Sequence, residues 1–186
     1  TRIVNRTTPK VTARIVSLPD DGPPVVNRLY LKKGRLADPA RHDEVVVNEN
    51  FALAHRFALG DRFAAIINGK RQELTITGIA LSPEFVLIMR PEAMSPDFTH
   101  YGILWMGRKA LGKSYSMDGA FNDCVLTLAP DANVDDVLAR IDAIVKPYVG
   151  FGAFARREQI SHRLLSEEFK MLRRSSEIFP TIFICV

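Results

Sequence analysis

Apolar and polar residues alternate along the first part of the chain, whereas near its end apolar residues recur every three or four positions. The first pattern predicts strands and the second helices. Arg2–Arg6 and Val11–Leu18 alternate around Thr7-Thr8-Pro9-Lys10 and are expected to be two strands joined by a turn. Pro19-Asp20-Asp21-Gly22-Pro23-Pro24 is a breaker cluster and a candidate boundary. Val25–Leu31 reads as extended, Lys33-Gly34-Arg35 as a turn and Asp43–Val47 as a short β-branched strand. Asn48 is placed to cap a helix carrying Phe51, Ala54, Phe57 and Ala58 on one face, with Gly60 as its stop. Arg62–Ile67 and Arg71–Ile79 flank Asn68-Gly69, the pair favoured by a type I′ hairpin turn because both positions take positive φ. Phe85–Met89 and Gly102–Met106 are further apolar strands, separated by a loop holding Pro91 and Pro96.

From residue 119 the pattern changes. Cys124–Ala129 reads as a strand, and Pro130-Asp131 turns it into a helix. Val134, Val137, Leu138, Ile141, Ile144, Val145 and Tyr148 form one apolar stripe at helical spacing, with Asp135 and Asp136 complementing the N-terminal dipole. Gly150 and Gly152 end it, and Ala153–Arg157 is expected to return as a strand, giving a β-α-β unit. Ser161–Ser176 is a second amphipathic helix with Leu165, Phe169 and Leu172 on one face. It runs into Ile178–Val186, nine residues without a charge. A membrane span needs ~20 apolar residues. The tail therefore reads either as a buried C-terminal strand or as the first turns of a longer membrane helix.

Composition narrows the class. The chain has 186 residues, 47% of them hydrophobic and 25% charged, with 11 Gly and 11 Pro, which excludes disordered, collagen-like, coiled-coil and disulfide-scaffold proteins. It opens at Thr1 with no signal-like apolar region and reads as a fragment. The formal charge of +4 is unevenly spread: residues 1–35 hold eight basic and two acidic groups, and the rest is slightly acidic. Those basic residues alternate with apolar ones, as a solvated strand face does. Tyr30 is the sole aromatic among them, too few for a nucleic-acid stacking platform. Cys124 and Cys185 both lie in apolar runs, without metal-ligand spacing.

Candidate chemistry is sparse. Gly107-Arg108-Lys109-Ala110-Leu111-Gly112-Lys113-Ser114 satisfies the phosphate-loop pattern G-x-x-x-x-G-K-[ST]. Phosphate cradling needs a strand before the loop and a helix after it. Gly102–Met106 supplies the strand, but Tyr115–Asp123 has no helical periodicity, so a nucleotide-binding protein using Gly107–Ser114 stands as the alternative reading. His42, His55, His100 and His162 are scattered, and no zinc motif occurs. Ser161-His162 is adjacent in sequence, the wrong geometry for mutual activation. Asp135-Asp136 is explained as helix-start charge. Asn5-Arg6-Thr7 fits a glycosylation acceptor, a common tripeptide. No catalytic, cofactor-binding or metal residue is assigned.

The order of the pieces carries more information than any one of them. Leu31-Lys32-Lys33-Gly34-Arg35, Asp43-Glu44-Val45-Val46-Val47-Asn48-Glu49, Ala54 to Leu59-Gly60-Asp61-Arg62 and Thr75-Ile76-Thr77-Gly78-Ile79 follow one another. Tyr101–Met106, Leu126-Thr127-Leu128-Ala129-Pro130-Asp131-Ala132 and Phe179-Pro180-Thr181-Ile182-Phe183 come after them. This ordered set resembles the extracytoplasmic, or periplasmic core, domain of ABC-transporter permeases of the MacB/FtsX type. The resemblance implies an α+β fold. A β-α-β-type subdomain would be built from both ends, 1–24 and 119–160, with a β-rich subdomain, 25–118, inserted between. A helix over 161–186 would approach a truncated membrane segment. It further implies a non-catalytic role outside the inner membrane, coupled to a cytoplasmic ABC ATPase subunit or domain. The expected partners are a second permease copy and an extracytoplasmic protein or apolar cargo, with no cofactor and no nucleic acid.

Overall fold

A computed structural model describes residues 2–4, 11–86, 97–148 and 152–184. The fold is α+β with a mixed sheet. The chain divides into two compact units, Thr1–Val125 and Leu126–Val186.

In the first unit the strands are β1 (Arg2–Val4), β2 (Val11–Leu18), β3 (Tyr30–Gly34), β4 (Glu44–Asn48), β5 (Arg62–Ile67), β6 (Lys70–Leu81) and β7 (Tyr101–Gly107). They form one seven-stranded sheet in the order β3-β6-β4-β7-β2-β1-β5, and β5 also pairs with β6. That last pairing joins the two ends of the order, so β6, β4, β7, β2, β1 and β5 close a ring. Strand β6 makes closure possible through its 12-residue length. Its first half pairs antiparallel with β5, from Ile67↔Lys70 to Arg62↔Thr75. Its second half pairs with β3 from Tyr30↔Leu81 to Gly34↔Gly78, while β4 runs parallel along it from Glu44↔Thr75.

Side chains alternate between the faces of this sheet as a two-residue period requires. One face gathers Val11, Ala13, Val45, Val47, Leu104 and Met106 with the β5 and β6 residues Phe63, Ala65, Leu74 and Ile76. Two helices add to it: α1 (Glu49–His55) contributes the fully buried Phe51, and α2 (Arg108–Tyr115) contributes Ala110. The other face carries Val46, Ile103 and Trp105, covered by Leu29, Leu36, Phe85 and Phe98 from the connecting segments.

The Asn68-Gly69 hairpin forms as predicted, with φ of 48° and 77° at the two turn residues. Asn48 caps α1 by accepting from the Asn50 backbone N–H at 2.9 Å. The helix ends earlier than expected, at a left-handed Arg56 (φ 56°), rather than at Gly60. Phe57 therefore lies outside the helix, stacked on Phe63 with ring centroids 5.4 Å apart, and Ala54 and Ala58 are exposed. Phe85 is not the start of a strand. Pro83–Phe85 is one 3₁₀ turn capped by Ser82, and the remainder of the expected strand, 87–89, lies outside the described residues. So do the Thr7–Lys10 turn and the Asn5-Arg6-Thr7 tripeptide.

The second unit holds α3 (Val134–Val145), 3₁₀ turns at Lys146–Tyr148 and Arg156–Glu158, and α4 (Ile160–Ile184). Asn133 caps α3 by accepting from the Asp135 N–H at 3.0 Å, and the amphipathic helix forms where its stripe lies. The flanking strands of the expected β-α-β unit do not. Cys124–Ala129 and Ala153–Ala155 are not in strands and have no ladder partner among the described residues, and Arg156–Glu158 turns. Strand propensity is realised only against a neighbouring strand. Ala153 instead donates its N–H to Asp142 Oδ1 at 2.6 Å, and Arg157 pairs with Asp135 at 2.9 Å, so this loop is tied to α3. The expected grouping of 1–24 with 119–160 also differs from the arrangement found. Strand β2 pairs parallel with β7 over Thr12↔Tyr101 to Leu18↔Gly107, inside the sheet formed by strands from 25–118.

Gly34 and Gly78 are the tightest point of the sheet. Gly34 has φ 77°, and a Cβ on it would collide with the Thr77 carbonyl, as one on Gly78 would with the Arg35 carbonyl. Gly34→Ala is expected to destabilise the chain by about 2–4 kcal/mol, combining backbone strain and a clash with main chain. Urea denaturation measures this.

Candidate functional site

Three clusters of ionisable side chains form in the first unit, each beginning from a loop that must be held against the sheet. The tightest surrounds Glu44, the first residue of β4, which is only 5% exposed. A buried carboxylate must be paired. Arg35 grips it through two hydrogen bonds of 2.7 Å, the Asp38 N–H donates at 3.0 Å, and Arg41 Nε lies 3.1 Å away. Arg41 also bonds Asp43 at 2.8 Å. The Arg35 hydrogen bonds hold the Glu44 carboxyl below the usual glutamate range against the opposing effect of burial. Arg41 does the same for Asp43.

The second cluster holds the turn before β7. Both oxygens of Asp97 lie 2.9 Å from His100 Nδ1, and the His100 N–H donates to Asp97 at 3.1 Å. These bonds, the His100 ring first, lower the Asp97 pKa. The His100 carbonyl accepts from Thr12 N–H at 2.9 Å, and His55 Nε2 lies 2.9 Å from the Thr99 carbonyl. Two of the four scattered histidines thus meet at one turn. The third cluster lies near Phe85. Arg14 pairs with Asp123 at 3.1 Å and stands 5.5 Å over the Phe85 ring. Glu84 accepts from Asn27 Nδ2 at 3.1 Å. Burial raises the Glu84 and Tyr101 pKa values, and Arg14 opposes both.

In each cluster a cation, a side-chain amide or a backbone N–H holds the carboxylate in place. That is how a fold fastens loops, and the sequence signals for it were weak. Asp97 and His100 are spaced i,i+3 across a turn, whereas Arg35 and Glu44 meet only because β3 and β4 both pair with β6.

The phosphate-loop string takes another form. Gly107 ends β7 and residues 108–115 are α2 itself, so no loop separates strand from helix. The N-terminal end of α2, where a phosphate would sit, faces a carboxylate: Lys109 N–H donates to Asp20 Oδ1 at 3.3 Å. Lys113 lies in the last turn, and Ser114 donates to the Ala110 carbonyl at 3.0 Å.

The other singled-out residues stay apart. Cys124 is free and exposed, the His42 carbonyl accepts from Gln72, and His162 lies on α4. Among the described residues no group of three or more His, Cys, Asp or Glu could hold a metal ion.

The second unit presents a different surface. None of its described side chains is buried. Phe169, Met171 and Leu172 on α4 are 68%, 61% and 62% exposed, and Ile144 and Tyr148 of the α3 stripe are also exposed. Single exposed apolar residues are ordinary, but a contiguous helical face marks a contact surface. No protein-family model matches the chain, and no curated protein matches it.

Two outcomes follow. The depressed Glu44 pKa contributes stability that is complete above the ordinary glutamate value of ~4.3 and is lost as pH falls through the lower folded value. Glu44→Gln is therefore expected to cost about 1–3 kcal/mol at neutral pH. It should also flatten the acid limb of the stability profile, as read by urea melts from pH 3 to 7. Separately, millimolar Mg²⁺-ATP is expected to leave the thermal midpoint unchanged in the wild-type chain and in Lys113→Ala alike. A saturable rise abolished by the substitution would mark a phosphate site.

Proposed function

We propose that the chain is the extracytoplasmic domain of a MacB/FtsX-type ABC-transporter permease subunit, on the periplasmic side of the inner membrane. In this reading it has no chemistry of its own. A cytoplasmic ABC ATPase hydrolyses ATP, membrane helices carry the resulting rearrangement outward, and the domain moves against a protein partner or apolar cargo.

The observation that carries the reading is the course of α4. The helix continues without a break through Pro180 to Ile184, so the uncharged stretch beginning at Ile178 starts as a helix and not as a buried strand. Among the described residues no helix is long and apolar enough to cross a membrane. Ile178–Val186 would be the first turns of such a span, and Lys170, Arg173 and Arg174 would lie at the interface, where long basic side chains are tolerated. The exposed apolar side chains of α4, Phe169 and Leu172 among them, suit a body that works by contact. Resemblance in the order of sequence pieces supplies the family.

The exposed Cys124 provides a direct test in the full-length protein. A membrane-impermeant maleimide applied to intact spheroplasts is expected to label Cys124, and Cys124→Ser should remove that label. Labelling only after the inner membrane is lysed would place the domain in the cytoplasm and end the proposal.

A further inference from the structure

The turn that joins β5 to β6 carries a chemistry of its own. Asparagine is thermolabile, because the main-chain nitrogen of the next residue can attack its side-chain Cγ and close a cyclic succinimide. A side chain on that next residue hinders the attack. Of the seven asparagines in the chain, only Asn68 is followed by glycine. The approach there is open: a Cβ on Gly69 would meet no atom within 4 Å.

Both reacting groups are also unengaged. Asn68 and Gly69 are exposed, and among the described residues no hydrogen bond occupies the Asn68 side chain or the Gly69 N–H. The ladder bonds stop at the pair Ile67↔Lys70. Other asparagines are held. Asn27 Nδ2 donates to Glu84, Asn48 Oδ1 accepts from the Asn50 N–H, and Asn133 Oδ1 accepts from the Asp135 N–H. Asn122 is exposed as well, but the residue after it, Asp123, carries a side chain. The φ values of 48° and 77° at Asn68 and Gly69 are those of the closed turn, which must open before the ring can form. An exposed hairpin tip opens locally, without unfolding of the sheet.

We infer that Asn68 is a site of spontaneous deamidation, where the folded chain acquires isoaspartate and becomes a substrate for isoaspartyl carboxyl methylation. The Gly69 nitrogen bonds to Asn68 Cγ, the Cγ–Nδ2 bond breaks, and ammonia leaves with the proton from the Gly69 N–H. Water then opens the succinimide. Cleavage of the new Cγ–N bond gives aspartate, and cleavage of the original peptide C–N bond gives isoaspartate.

The two products act differently on the fold. Aspartate leaves the main chain as it was, and Asp-Gly suits the same turn. Isoaspartate routes the main chain through Cγ and lengthens the loop by a methylene. Loop length sets hairpin register, and Phe63, Ala65 and Ile67 reach the core through the β5–β6 register. The same pairing closes the ring of strands, so the isoaspartyl chain loses stability throughout the first unit. The inference rests on the hairpin alone and does not require the transporter reading; its failure would leave the Cys124 labelling outcome untouched.

The test ages the whole folded chain at mildly alkaline pH. Tryptic peptides are read by mass spectrometry, and isoaspartate by an isoaspartyl methyltransferase with labelled S-adenosylmethionine. Deamidation is expected at Asn68 before any other asparagine, with methyl label in the peptide Phe63–Lys70. The labelled fraction should unfold at lower urea than fresh chain, whereas Asn68→Asp should unfold with the fresh chain. The double variant Asn68→Gly, Gly69→Asn keeps residues that accept positive φ at both positions and should lose the label. An Asn68 that stays intact in the folded chain but deamidates in urea overturns the inference, because the turn then protects it. Earlier conversion at Asn122, or label that survives the order swap, also overturns it. An isoaspartyl fraction as stable as fresh chain would contradict the link to ring closure.

Discussion

Closure of the sheet through β6 is the constraint on which the first unit depends. One strand must serve β5, β4 and β3 in turn, and it does so by bending where the register slips between Val45 and Val46 on its β4 side. Gly78 lies at that bend, opposite Gly34 of β3. The absence of two Cβ atoms lets the main chains there approach closely, and this brings Arg35, the residue after β3, to the buried carboxylate at the start of β4. The ion pair is thus a consequence of the backbone path. Once the ring is closed, alternation of side chains fills one face with Val45, Val47, Leu104 and Met106 and leaves Val46, Ile103 and Trp105 for the connecting segments to cover.

Where local chemistry decides, the sequence was legible. Asn68-Gly69 dictates a turn by its φ preferences, Asn48 caps α1, and the α3 stripe folds where its period lies. Where a distant partner decides, it was not. Cys124–Ala129 has the composition of a strand but finds no ladder, and Phe85 is drawn into a turn by Pro83. The parallel pairing of β2 with β7 leaves no trace in either segment, so the N-terminal strands could not be assigned to the same sheet as 25–118 from pattern alone. The candidate clusters share this fate: His55 and Thr99, or Arg14 and Asp123, meet through topology. The phosphate-loop string shows the converse failure, in which a correct spacing of residue types winds directly into a helix.

The two units are built on different terms. Among its described residues Thr1–Val125 buries a core that includes Phe51, Leu74, Ile76, Leu104 and Trp105, and several of its charged groups fasten loops. Leu126–Val186 keeps its helices by caps and a few ties, Asn133 to Asp135, Asp142 to Ala153 and Arg157 to Asp135, its α3 stripe is largely half-buried, and α4 presents exposed apolar side chains. Helices of that kind draw most of their stability from what packs against them. A domain that transmits motion would be divided in this way, with a firm body and contact elements completed by partners.

That division is read most directly by native-state hydrogen exchange on the whole chain. Amides of β4, β6 and β7 are expected to exchange only with global opening of the first unit, at least ~100-fold more slowly than those of α3 and α4 in the unpartnered chain. Equal protection in both units, or β6 exchanging in independent halves, would contradict the account.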